Sequence, residues 1–75
     1  MQKYKSKNES SGVLRYESGL DYIKIEFHDH KVYLYNYQKP GKEHVENMKR
    51  LALSSKGLST YINVHVRENY ALKIS

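Results

Sequence analysis

The stretch DYIKIEFHDHKVYLYNY, residues 21–37, decides the fold. In its first half Ile23, Ile25 and Phe27 alternate with Tyr22, Lys24 and Glu26. In its second half Tyr33, Tyr35 and Tyr37 alternate with Val32 and Leu34. Successive side chains of a strand point to opposite faces, so each half reads as a strand with two distinct faces. Taking Asp29 and His30 as the central residues of a tight hairpin turn fixes a register. Phe27 then faces Val32, Ile25 faces Leu34 and Ile23 faces Asn36. On the other face Glu26 meets Tyr33, Lys24 meets Tyr35 and Tyr22 meets Tyr37. This register predicts an aliphatic face in the core and a tyrosine face that carries Lys24 and Glu26. A slip of one residue would mix the two sets. A primed two-residue turn needs positive φ at both central positions, a role that suits Asp-Gly better than Asp-His.

Upstream, Val13, Leu14 and Tyr16 form a short first strand before the turn signal Ser18-Gly19. Residues 1–11 are polar and lysine-rich without periodicity, and are expected to be a mobile arm ahead of a single domain over 12–75. Downstream, QKPGK breaks the pattern. Val45, Met48, Leu51 and Ala52 then recur at helical spacing from Glu43 to Ser54, with Gly57 placed to stop the helix. The segment LSTYINVHVRENY, residues 58–70, supports two readings. Ile62, Val64 and Val66 alternate as in a strand and are β-branched, while Leu58, Ile62 and Val66 lie four apart and Ser59 can cap a helix; the alternation leans towards strand. The expected fold is α+β: a small antiparallel three-stranded meander over about 12–16, 21–28 and 31–37. The 43–54 helix packs one face of it, and a C-terminal short helix or strand follows. The expected core is Val13, Ile23, Ile25, Phe27, Leu34, Val45, Met48, Leu51, Ile62 and Val66.

Seventy-five residues suffice for one domain, with a modest core and no cysteine to reinforce it. No apolar run reaches the roughly 18 residues of a membrane span, and the N-terminus lacks the apolar region of a signal peptide. The expectation is therefore a cytoplasmic protein with no membrane partner. Thirteen Lys and Arg against eight Asp and Glu give a net charge of +5, which favours anionic partners.

The ordered set DYIKIEFHD, the YLY within KVYLYNY, HVENMKRLA and GLSTYINVHVRENY resembles the KTSC domain. That family is named for the C-terminus of some lysyl-tRNA synthetases and also occurs as small free-standing proteins, including in bacteria and phages. Its central Y-x-Y falls on Tyr33 and Tyr35, and its later Gly, Asn and Arg fall on Gly57, Asn63 and Arg67. His30 departs from the family, which has Gly after the hairpin Asp. The resemblance covers roughly residues 13–70. It implies an α+β domain of unestablished function, for which RNA binding has been suggested, and it moves the expectation for 59–67 towards a second helix.

Aromatic rings beside cations can stack bases while the cations attract phosphate. The candidate nucleic-acid-binding residues are Tyr22, Lys24, Lys31, Tyr33, Tyr35 and Tyr37, with Arg67 at the family's arginine position. The bland alternative is that the tyrosines pack under a helix or stabilise the sheet as cross-strand pairs. A third reading makes the aromatic face a protein interface or a surface for self-association. His28, Asp29 and His30 have no diagnostic metal spacing, and the expectation is a solvated turn with no metal and no cofactor. No motif places a nucleophile beside a base, so no catalytic residue is nominated and a non-enzyme is expected.

Overall fold

A computed structural model describes residues 2–4 and 12–74 of the chain. It has the expected α+β architecture, an antiparallel sheet with helices packed on one face. The three expected strands are β2 (Val13–Ser18), β3 (Tyr22–Phe27) and β4 (Val32–Asn36). Two-residue edge strands extend the meander on either side, β1 (Gln2–Lys3) beside β2 and β5 (Leu72–Lys73) beside β4. Most of the arm expected over residues 1–11 lies outside the described residues. Within it β1 pairs with β2, and Tyr4 is buried edge-on against Tyr16.

The hairpin register is corrected by one residue. Ile23 pairs with Tyr35, Lys24 with Leu34 and Ile25 with Tyr33. The cause is the turn. Its loop has three residues, His28–His30, closed by Phe27 N–H donating to Lys31 O at 2.9 Å and His30 N–H donating to Phe27 O at 2.8 Å. Only His30 takes positive φ, at 66°. This is the pattern of a three-residue hairpin with its last loop residue left-handed. The added loop residue carries Tyr33 and Tyr35 to the face of Ile23 and Ile25. The tyrosine row is therefore on the core face, and Val32 and Leu34 share the outer face with Lys24 and Glu26. Leu34 is half-buried rather than a core residue.

A bulge between Val13 and Arg15 turns both Val13 and Tyr16 inward, although they are three residues apart. Against this face pack Val45, Met48 and Ala52 of α1 (Lys42–Ser54), all buried. Phe27 and Leu51, expected in the core, pack at its margin and are half-buried. The ambiguous segment is helical: α2 (Leu58–Tyr61) runs into a π-helix over Ile62–Val66. Leu58, Ile62 and Val66 are buried, whereas Val64 is 69% exposed, so the four-residue spacing prevails over the alternation. Residues four apart overshoot a 3.6-residue turn by about 40°. The wider π turn reduces that drift and keeps Ile62 and Val66 on the core. No described helix is long and apolar enough to cross a membrane.

Candidate functional site: an aromatic cleft

The corrected register places Tyr33 and Phe27 at the loop end of the core face, with their rings 5.7 Å apart edge to face. The C-terminal segment closes on them. After the π-helix, Arg67 takes φ 23° and ψ −98°, a sparsely populated conformation of the kind that clusters at functional sites. The chain then returns along β4, where Ala71 N–H donates to Leu34 O and Ile74 N–H to Val32 O, each at 2.8 Å. This return sets Tyr70 against Tyr33, with ring centroids 4.6 Å apart. Tyr35 meets Tyr70 edge-on at 6.4 Å.

Between the hairpin and the π-helix lies a cleft of about 390 Å³. Its floor and walls are Phe27, Tyr33, Tyr35, Ile62 and Tyr70, and its rim is Asp29, Asn63, Arg67 and Glu68. Tyr33 and Tyr70 are half-buried, so part of each ring meets solvent, and the four rim residues are exposed. Lys73 pairs directly with Tyr33 on β5 and shares its face of the sheet. The Tyr35 hydroxyl donates to Arg67 O at 3.3 Å, joining the middle of β4 to the strained residue. Burial, and then the neighbouring Tyr33 and Tyr70, push its pKa well above the usual tyrosine value, so the hydroxyl stays a donor.

Of the seven residues nominated from sequence, Tyr33, Tyr35 and Arg67 meet at this cleft. Tyr35 is only 1% exposed, so its ring is a wall and a strut, with no free face to stack on. Tyr22 and Lys24 stand on the outer face of the sheet, which corrects the single platform expected from the wrong register. There the Tyr22 hydroxyl donates to Glu17 at 2.8 Å, and Lys24 Nζ lies 3.8 Å from Glu17 and 5.8 Å from the Tyr22 ring. The Tyr22 hydrogen bond, and then the Lys24 charge, lower the Glu17 pKa. Tyr37 anchors the far end of β4 to α1. Its hydroxyl is 2.7 Å from Glu46 Oε2 and 3.1 Å from Leu20 O, with Lys42 and Lys49 each 5.8 Å from its ring. Lys31 is exposed beside the cleft, 3.9 Å from Asp29.

Sequence reasoning did not nominate Tyr70, Asn63, Asp29, Glu68 or Phe27 as site residues. Asn63 carried a signal as the resemblance's asparagine. Tyr70 carried none, because its place depends on a chain reversal after Arg67. A separate cluster joins the helices: His44 Nδ1 lies 2.6 Å from the Tyr61 hydroxyl, and the His65 ring stacks on Tyr61 at 4.5 Å. Among the described residues, no group of three or more His, Cys, Asp or Glu is arranged to hold a metal. The chain matches no family model, no curated protein and no solved structure.

Proposed function

We propose that this protein is a small non-catalytic binding domain whose ligand is single-stranded RNA, with one base entering the cleft and stacking on the solvent-facing side of the packed Tyr33–Tyr70 pair. The observation that carries this reading is the convergence of two half-exposed tyrosine rings with a planar guanidinium and an amide at one rim. A volume of about 390 Å³ is at the small end of ligand pockets and suits a single nucleoside. The tyrosines supply faces for stacking. Arg67 and Asn63 offer donors, while Asp29 and Glu68 offer acceptors for an exocyclic amine. Lys31 and Lys73 flank the cleft and provide phosphate contacts on a chain of net charge +5. The suggestion of RNA binding for the KTSC domain points the same way. The reading moves the function from a sheet surface to a cleft, and leaves Tyr22 and Lys24 out of it.

Binding of labelled single-stranded RNA, titrated at several salt concentrations, tests the proposal. Tyr33→Ala should cost about 1–3 kcal/mol with little change in the salt slope. Lys73→Ala should flatten the slope, because fewer counterions are released. Lys24→Ala, on the other face, should change the stacking component not at all. Wild-type binding that vanishes near physiological salt, and that Tyr33→Ala matches, would remove RNA as the ligand. If RNA fails and a protein partner is instead lost on Tyr33→Ala, the cleft is the protein interface of the alternative reading.

A further inference from the structure

The rim of the cleft carries more chemistry than stacking uses. Stacking on tyrosine accepts any base, because every base has a π face. A choice among bases falls to the polar rim residues Asp29, Asn63, Arg67 and Glu68, all of them exposed. Asp29 is engaged in its own turn: its carboxylate accepts the Lys31 N–H at 3.1 Å and lies 3.9 Å from Lys31 Nζ. The side chains of the other three have no hydrogen-bond or ion-pair partner among the described residues. Two of them, Arg67 and Glu68, are consecutive, where the chain turns out of the π-helix. They bring a fork of donors and a pair of acceptors to one rim.

We propose, resting on the reading that the cleft takes one base of single-stranded RNA, that this base is guanine and that Glu68 selects it. A carboxylate offers two acceptors side by side. Guanine alone presents two neighbouring donors to match them, N1–H and the N2 amine. Adenine and cytosine each present one amine beside a ring nitrogen whose lone pair repels the second carboxylate oxygen. Uracil N3–H lies between two carbonyls, with the same result. Unpaired bases in single strands expose these edges to side chains. Next to its two donors guanine carries O6 and N7, the acceptor pair that an arginine fork meets. The donors and acceptors of guanine thus match what Glu68 and Arg67 supply, and both contacts are charge-assisted. The Asn63 amide is donor and acceptor at once, so it suits any base and does not discriminate.

Labelled short uridine oligomers, with the central residue set to guanosine, adenosine, cytidine, uridine or inosine, are titrated against the full chain at a fixed salt concentration. Guanosine should bind at least about tenfold more tightly than adenosine. Inosine, which keeps N1–H and lacks the amine, should fall between them. Glu68→Gln should cut the preference for guanosine over adenosine to about threefold or less. Glu43→Gln, which removes the same charge from an exposed position on α1 outside the cleft, should leave the preference unchanged. The preference is a ratio measured within each variant, so a general effect of charge or of folded fraction cancels. Equal affinity for every oligomer, still weakened by Tyr33→Ala, overturns the choice of guanine and leaves the RNA reading standing. Binding to none of them overturns both. Inosine matching guanosine overturns the pairing of Glu68 with the amine. A preference that survives Glu68→Gln and is lost on Asp29→Asn overturns the assignment to Glu68.

Discussion

Tyr35 has a sequence neighbourhood like that of Tyr33, yet the two rings do different work. Tyr33 keeps a solvent-facing edge, while Tyr35 is sealed between the sheet and the helical layer, and its hydroxyl reaches Arg67 O. Burial raises the Tyr35 pKa in the folded state above its unfolded value of about 10. The folded state therefore holds its proton longer. The stability this contributes is complete below about pH 10 and is lost as pH rises from there through the folded pKa. Chemical denaturation between about pH 8 and pH 11 should show an alkaline decline, part of which Tyr35→Phe removes. Tyr22 and Tyr37 also have raised pKa values, each mainly through a hydrogen bond to a glutamate, so a residual decline remains. At neutral pH, Tyr35→Phe should cost about 1 kcal/mol for the lost hydrogen bond while the ring packing survives. An alkaline decline identical in the two proteins would assign it elsewhere.

The β3–β4 hairpin turns on one backbone conformation. His30 sits at φ 66°, where a Cβ crowds the following carbonyl, and its side chain is 3.6 Å from Glu26. That contact is exposed at the histidine and stabilises little. His30→Gly removes the crowding and should stabilise the protein by about 0.5–1 kcal/mol, raising Tm by roughly 3–6 °C in calorimetry. A lower Tm would mean that the Glu26 contact outweighs the backbone strain. The same geometry explains the register. A two-residue turn would need positive φ at both Asp29 and His30, and a third loop residue restricts that demand to one position. The helical layer depends on its neighbours in a comparable way. Leu58, Ile62 and Val66 form a helix because the sheet face needs covering, although their local alternation favours a strand.

Across the whole molecule, stability rests on one core between two layers. Ile25 is fully buried on the central strand β3, opposite Tyr16 on one side and Tyr33 on the other. Ile25→Ala should cost about 2–5 kcal/mol. For a chain of 75 residues the total is about 4–11 kcal/mol, so this one substitution removes a large share. Urea denaturation should show the midpoint falling steeply at an unchanged m value. A loss below about 0.5 kcal/mol would place Ile25 outside the core. The chain has no cysteine, so no disulfide supplements that core.

Local periodicity was enough to identify β3, β4 and α1, because each pattern repeats over neighbours in the chain and needs no partner to be read. Alternation from Tyr22 to Phe27, helical spacing from Val45 to Ala52, and the breaker QKPGK all belong to that class. Tyr33 and Tyr35 were legible as candidates from the same local alternation, and Arg67 only through the resemblance, at whose arginine position it falls. Tertiary structure decided which face each strand buries. β4 has apolar residues on both faces, Tyr33 and Tyr35 on one and Val32 and Leu34 on the other, and a period of two leaves the choice to the register. The register in turn depends on a single loop residue and on which face meets the helices. Tertiary structure also decided the helical state of 58–66 and the return of Tyr70 to Tyr33. Both rest on contacts between residues far apart in sequence, such as Tyr35 with Arg67. The cleft is made almost wholly of such contacts, so its members were readable one by one while their meeting was not.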